Sequence, residues 1–86
     1  MLKKMKLIIS QAIKGEMEKR FILFEDVEKV VVYSKTTGQR FFNPEDSSYL
    51  ANLRIANVTY WVRYKEKENG IHIITVYSHR IEIARE

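Results

Sequence analysis

The most regular alternation of apolar and polar positions in the chain runs through residues 57–83. β-Branched and aromatic residues dominate two stretches, NVTYWVRY and IHIITVYSHRIEI, and such residues favour pleated, half-buried strands. KEKENG separates the stretches, and Asn-Gly favours the positive φ angles of a two-residue hairpin turn. The pattern therefore predicts a β-hairpin that turns at Asn69-Gly70 and places Glu68 opposite Ile71.

This register assigns the hairpin residues to two sheet faces, because side chains alternate along a strand. We expect the core side to carry the mainly apolar set Val58, Tyr60, Val62, Tyr64, Ile73, Thr75, Tyr77, His79, Ile81 and Ile83. The outer side is mixed and carries Trp61, Arg63, Lys65, Lys67, His72, Ile74, Val76 and Ser78. Its apolar members need partial cover from another element or a partner.

Apolar residues at helical spacing near the start predict an amphipathic helix over residues 2–14, ended by Gly15. Two alternatives stay open for this segment. One is a strand at Lys6–Ser10, and the other is a basic arm for a membrane surface or a partner groove.

The middle of the chain divides into short elements. Lys19–Phe24 predicts a strand, and Glu25-Asp26 then favours the start of a helix, where acids complement the helix dipole. A strand at Val30–Tyr33 competes with this helix, because valine has poor helix propensity. The inward face of the helix would carry Val27, Val30, Val31 and Ser34. The helix would end at Thr36-Thr37-Gly38. The remaining predictions are strands at Gln39–Asn43 and Tyr49–Ile55, joined by a turn at Asn43-Pro44-Glu45-Asp46.

The order is helix, strand, helix, then three or four antiparallel strands, which is typical of the α+β class. We expect residues 1–86 to form a single domain with the N-terminal amphipathic helix in residues 1–15 and the α+β body in residues 16–86. The body would be an antiparallel sheet of four to five strands with two helices packed mainly on one face.

Composition and charge exclude several kinds of functional site. The chain has no cysteine, which excludes disulfides, thiolate metal sites, iron–sulfur ligation and a cysteine nucleophile. The lack of cysteine is compatible with the cytoplasm, where we expect the protein to reside. No apolar run approaches the roughly 18 residues of a membrane span, so we expect no membrane contact. Residues 1–20 carry six basic and two acidic side chains, whereas residues 21–86 carry nine of each. The net charge of +4 therefore belongs to the N-terminal segment, which weakens the case for a basic platform.

The densest polar and aromatic cluster comprises Tyr60, Tyr77, His79, Arg80 and Glu82. It predicts a recognition patch with aromatic faces, an imidazole and an arginine fork for a carboxylate or phosphate. The structural alternative is that His79 bonds Tyr60 or the backbone and Arg80 pairs with Glu82. His72 and His79 are separated by an odd number of positions, so a regular strand points them to opposite faces and we expect no metal site.

Trp61 stands among basic residues on the outer side, together with Arg63, Lys65 and Lys67. An aromatic residue amid cations on a sheet can bind single-stranded nucleic acid by stacking and by backbone contacts. Only one aromatic falls on that side in this register, so packing of Trp61 beneath a helix or a second subunit is the favoured alternative.

The stretches TGQRFFNPE, NVTYWVRY and YSHRIEI resemble a small uncharacterised domain found mainly in anaerobic bacteria. That domain occurs alone or fused to glutamate-synthase-like and pyridine-nucleotide-disulfide oxidoreductase proteins. The resemblance covers about residues 17–83 and implies a shared fold unit and an oxidoreductase partner. The redox cofactors do not carry over, because the chain lacks a glycine-rich dinucleotide loop and cysteines. The residues that match are Thr37, Gly38, Asn43, Pro44, Tyr60, Trp61, Tyr64, Tyr77, Ser78, His79 and Arg80.

We therefore expect a non-catalytic accessory or interaction domain that works with a redox enzyme and binds no cofactor. The site residues would be Tyr60, Trp61, Tyr77, His79, Arg80 and Glu82. A single-stranded nucleic-acid-binding module and a small enzyme using His79 are the alternatives. We also expect a homodimer that buries Trp61 or pairs an edge strand, because so small a domain struggles to bury both faces of a sheet.

Overall fold

The computed structural model describes residues 6–80, which form two helices and one five-stranded sheet. The strand order is β1-β5-β4-β3-β2, with β1 parallel to β5 and every other pair antiparallel. This confirms the predicted α+β class and adds one parallel edge strand. The elements are β1 (Leu7–Ile8), α1 (Gln11–Lys19), α2 (Phe24–Thr37), β2 (Phe41–Asn43), β3 (Ser48–Ile55), β4 (Val58–Lys67) and β5 (Gly70–Arg80).

Both helices pack on one side of the sheet, which we call the covered face. Helix α1 contacts β5, and α2 contacts β3 and β4. A single hydrophobic core forms between the helices and this face, as predicted. Its buried residues are Met17, Ile22, Val27, Val30, Val31, Ala51, Val62, Tyr64, Ile71, Ile73 and Val76.

Helix α2 forms despite its run of valines. The carboxylate of Asp26 accepts a hydrogen bond from the backbone N–H of Leu23 at 2.9 Å, which satisfies one free donor at the helix start. Gly38 ends the helix with a φ of 76°, and its N–H donates to the carbonyl of Ser34 at 2.8 Å. All four predicted inward residues are buried, so burial outweighs the low helix propensity of valine.

The N-terminal segment differs from the predicted helix over residues 2–14. Leu7–Ile8 forms β1 beside β5, where the N–H of Ile71 donates to the carbonyl of Lys6 at 2.8 Å. Helix α1 begins only after Ser10, whose hydroxyl accepts from the N–H of Ile13, and it continues through Gly15. The alternative strand at Lys6–Ser10 was therefore nearer the structure, and residues 2–5 lie outside the described residues.

The predicted strand at Lys19–Phe24 is also wrong. Helix α1 ends at Lys19, and Phe21 adopts a φ of 56° in the short connection to α2. Ile22 enters the core from this connection, while Phe21 is exposed. The apolar residues here join two helices and do not pair with a strand.

The hairpin lies where predicted, but its register differs. Gly70 pairs with Lys67, so the two loop residues are Glu68 and Asn69, and Asn69 does not adopt a positive φ. This displaces the pairing by two positions, which preserves the faces near the turn. Strands β2 and β3 agree with prediction, with Tyr49, Ala51 and Leu53 on the covered face.

A β-bulge in β5 then inverts the faces along the outer half of the hairpin. Tyr64 pairs with Ile73 and Arg63 pairs with Thr75, which leaves Ile74 as an extra residue. Ile74 and Thr75 are consecutive exposed residues. Beyond them Val76 is buried and Tyr77 is exposed, the reverse of the predicted assignment.

Candidate functional site

The sheet face opposite the helices is the open face, because neither described helix contacts it. Strand pairing and the burial of alternate residues identify its positions. They are Phe41, Asn43, Ser48, Leu50, Asn52, Arg54, Thr59, Trp61, Arg63, Lys65, Lys67, His72, Ile74, Thr75, Tyr77 and His79.

Charge is segregated between the two faces. Arg54, Arg63, Lys65 and Lys67 occupy open-face strand positions, and no carboxylate occupies one within the described strands β2 to β5. The strand carboxylate Glu66 turns to the other face, where Lys35 and Arg40 pair with it. The balanced charge of residues 21–86 therefore conceals a basic face.

The bulge brings two aromatic rings together on the open face. Trp61 and Tyr77 are cross-strand neighbours with ring centroids 5.9 Å apart and ring planes within 6° of parallel. Trp61 is half-buried, and Tyr77 is 37% exposed. A regular strand would have turned Tyr77 toward the helices, so the irregularity in β5 builds this pair.

Two arginines flank the aromatic pair, and hydrogen bonds hold both. Arg63 donates through Nη1 to the buried hydroxyl of Ser48 at 2.9 Å, and that hydroxyl donates to Asp46 at 2.7 Å. Arg54 donates through Nε to the carbonyl of Ala56 at 3.0 Å. Each guanidinium is thus oriented before a ligand arrives, which limits the side-chain entropy lost on binding.

Asp46 lies in the turn between β2 and β3, close enough to this basic group for Lys65 and Arg63 to act on its carboxyl. The hydrogen bond from the Ser48 side chain has the largest effect and lowers the pKa of the Asp46 carboxyl. Burial, the next largest effect, opposes it, while the backbone N–H of Ser48 and the charges of Lys65 and Arg63 lower the pKa further. Asp46 therefore stays ionised and offsets part of the positive charge at this rim.

The covered face contains a separate polar cluster at the end of α2. The hydroxyls of Tyr64 and Ser34 lie 2.7 Å apart, and Arg40 Nη1 donates to the Tyr64 hydroxyl at 3.0 Å. Arg40 also donates to Glu66 at 3.1 Å, and Lys35 forms an ion pair with the same carboxylate. No buried side-chain nitrogen or oxygen among the described residues lacks a partner, so this cluster fastens α2 to β4.

The pKa values of this cluster follow from its hydrogen bonds. The hydrogen bond from Lys35 lowers the pKa of Glu66, and Arg40 adds to this effect while burial opposes it. Burial acts to lower the pKa of Arg40, but the hydrogen bonds to Tyr64 and Glu66 outweigh it and raise that pKa. Both groups are therefore charged at neutral pH, as an ion pair requires.

The structure divides five of the six predicted site residues between the two faces. Tyr60 and Arg80 lie on the covered face, where burial raises the pKa of Tyr60, the charge of Asp26 adds to the rise and Arg80 opposes it. Trp61, Tyr77 and His79 share the open face, so the structure does not bring Tyr60 together with Tyr77 and His79. Glu82 lies outside the described residues.

His79 pairs in register with Thr59, not with Tyr60, and its side chain is exposed. The bulge turns His79 onto the open face that His72 already occupies, contrary to the prediction of opposite faces. Seven positions along β5 separate the two imidazoles by roughly 20 Å, too far to share a metal ion. Within residues 6–80 no group of three potential ligands could hold one.

A shallow cleft of about 340 Å³ lies where the loop after α2 meets the open face. Its lining includes Phe41 and Asn52 from that face and Gly38, Gln39 and Arg40 from the loop. Phe41 is 67% exposed, which leaves an apolar ring at the mouth of the cleft. The cleft extends the open face toward β2.

Sequence reasoning missed Arg54 and the outward turn of Tyr77. The alternation through Leu53 and Ile55 already indicated that Arg54 points away from the core. The bulge had a fainter signal, since two consecutive isoleucines, Ile73 and Ile74, interrupt the alternation of β5.

None of the helices in residues 6–80 has the length and apolar character needed to cross a membrane. Comparisons with protein-family models, curated proteins and solved structures found no match to this chain. The resemblance to the oxidoreductase-associated domain therefore stays a prediction.

Proposed function

We propose that this protein is a non-catalytic binding domain that holds an anionic partner on the open face of its sheet. One observation carries the proposal. Four cations and a stacked aromatic pair share a face on which the described strands place no carboxylate. Such a face attracts an anionic surface at long range and offers ring area for contact after encounter.

Binding accounts for the geometry better than catalysis by His79. Among the described residues no ion pair joins His79 to a carboxylate, its imidazole is exposed, and the cleft beside β2 is lined by other residues. General acid–base catalysis generally needs a positioned partner and a site that excludes water. In the polar cluster around Arg40 the side chains bond one another, Tyr64 to Ser34 and Arg40, and Glu66 to Arg40 and Lys35.

An oxidoreductase remains the protein partner that the resemblance implies, and it would have to present an acidic surface here. A homodimer formed through this face would bring four cations from each copy together. Like charges at close range oppose such an interface. A homodimer would therefore form more favourably by pairing an edge strand of each copy. The exposed edges are short, with two residues in β1 and three in β2.

Trp61 is the only tryptophan of the chain, so its fluorescence reports directly on the open face. Titration with polyglutamate and with dextran sulfate should change this emission, and added salt should reverse the change. The double variant Arg54→Glu/Lys65→Glu should abolish the response.

The matched control is Lys14→Glu/Lys29→Glu, which changes net charge equally at exposed positions on the two helices. It should retain most of the response. Equal loss in both double variants, or no response of the wild type to either polyanion, would show that the open face is not a binding surface.

A further inference from the structure

The bulge in β5 places the ring of Tyr77 beside that of Trp61 on the open face. Without the extra residue Ile74, the alternation set by Ile71 and Ile73 would turn Tyr77 toward the helices. A bulge interrupts the ladder of hydrogen bonds and re-aims the side chains that follow it. The result is a pair of parallel, solvent-accessible rings on a basic face.

We propose that the anionic partner is single-stranded nucleic acid, one base of which stacks on the Trp61–Tyr77 pair. This inference rests on the proposed function and names its ligand. Among anionic polymers, nucleic acid carries a planar aromatic ring on every charged unit, whereas an acidic polypeptide offers carboxylates without rings. Duplexes keep their bases paired inside the helix, so only an unpaired strand offers both groups to a flat sheet.

The dimensions of the pair determine how a base stacks. Stacked bases lie about 3.4 Å apart, so a base inserted between two rings needs about twice that spacing. The ring centroids of Trp61 and Tyr77 are 5.9 Å apart, which is too close to admit one. A base therefore extends the stack from its outside, as bases do on exposed aromatic side chains of other sheets.

Cations stand on both sides of this stack. Thr59 lies two positions before Trp61, and its cross-strand neighbours on the open face are Arg54 and His79. Two positions after Trp61 lies Arg63, followed on the same face by Lys65. A strand whose base rests on the rings therefore meets a guanidinium in either direction along its backbone, and each guanidinium is already held by a hydrogen bond.

The test measures binding of fluorescein-labelled dT12 and rU12 by anisotropy, with polyglutamate of equal charge and the duplex of dT12 as comparison probes. The single strands should bind more tightly than either comparison probe. Tyr77→Ser should weaken their binding roughly 10-fold, within the range of base–aromatic stacking, and should leave polyglutamate binding unchanged.

Phe24→Ser is the control, because Phe24 is an exposed aromatic residue on α2 away from the open face. It should not alter binding of any probe. Arg54→Gln/Lys65→Gln should reduce the slope of log K against log salt by about 1.4 for a single strand, or about 0.7 for each lost phosphate contact. Urea unfolding of each variant confirms that the domain is intact.

Three outcomes overturn the inference and are distinguishable. Equal binding of polyglutamate and dT12, both insensitive to Tyr77→Ser, leaves an anion-binding face without base stacking, so the proposed function survives. Duplex binding as tight as single-strand binding removes the role of an exposed base. Absence of binding to every polyanion, or a dimer whose formation excludes the probes, removes the proposed function as well.

Discussion

The two faces of the sheet come from the same strands but differ in how tightly their side chains are held. Val62 on the covered face is 1% exposed, whereas its neighbour Trp61 on the open face is half-buried. On the covered face the buried hydroxyls of Ser34 and Tyr64 bond each other, while the open face leaves guanidinium and ring surfaces available. One face therefore accounts for most of the stability, and the other is available for binding.

This difference also explains why the bulge is tolerated. Val76 still reaches the core beyond the bulge, so the covered face keeps a buried apolar residue there. The extra residue, Ile74, lies on the open side, where no layer has to be packed. An irregularity that would disrupt a two-sided core is accommodated because one side faces solvent.

The largest expected effect is on stability, and it compares substitutions at two consecutive isoleucines, one on the covered face and one on the open face. Ile73→Ala removes a core side chain that is 5% exposed and should cost about 2–5 kcal/mol in free energy of unfolding. Ile74→Ala, at a side chain 39% exposed, should cost less than about 1 kcal/mol. Urea unfolding measures both. Similar costs would mean that the open face is covered in solution.

The next test addresses the edge where β1 joins β5. Gly70 has a φ of 138°, and a Cβ there would lie 2.8 Å from the carbonyl oxygen of Lys6. Gly70→Ala should therefore cost about 1–3 kcal/mol, through strain and through loss of β1 pairing. Gly15→Ala in α1, where a Cβ meets no atom within 4 Å, should instead stabilise the domain by about 0.5–1 kcal/mol. The same sign in thermal melts of both variants would contradict the placement of β1.

A third test compares two tyrosines that lie on opposite faces of the sheet. Tyr64→Phe removes a buried hydroxyl that bonds Ser34 and Arg40, and we expect a cost of about 1–2 kcal/mol. Tyr77→Phe keeps the ring on the open face and should change the free energy of unfolding by less than about 0.5 kcal/mol. If the two substitutions proved equivalent by urea unfolding, the cluster at the end of α2 would not be structural.

The smallest effect concerns pH. The pKa of Glu66 is lowered in the folded state, so its stabilisation is present above its ordinary value of 4.5 and is lost as pH falls through the folded pKa. Glu66→Gln should lower stability at pH 7 by at most about 1 kcal/mol, because the ion pairs are partly exposed. The difference in free energy of unfolding between wild type and variant should disappear at acid pH.

Glu68→Gln, in the exposed hairpin loop, is the control of equal charge for that experiment. Its unfolding free energy should follow that of the wild type at every pH. A gap for Glu66→Gln that stays constant from pH 7 to pH 3 would show that the ion pairs with Lys35 and Arg40 do not stabilise the fold.

Several features were determined by the sequence alone. The inward stripe of α2, its end at Gly38 and the location of the hairpin all follow from local patterns, and the structure confirms each. The same is true of the α+β class and of the placement of both helices on one face. These features depend on residues a few positions apart, whose spacing can be read directly.

Other features depended on contacts between distant segments. Leu7–Ile8 becomes a strand because β5 offers a free edge to it, and this pairing overrides the helical spacing of the first residues. The face of Tyr77 depends on a single extra residue, since side chains alternate with a period of two. The alternation of β4 already predicted Trp61, Arg63, Lys65 and Lys67 on the outer side, and strand pairing adds Arg54 and Tyr77 to that face. Local periodicity therefore specified the β4 part of the candidate binding surface, whereas tertiary pairing decided the aromatic pair and the contribution of β3.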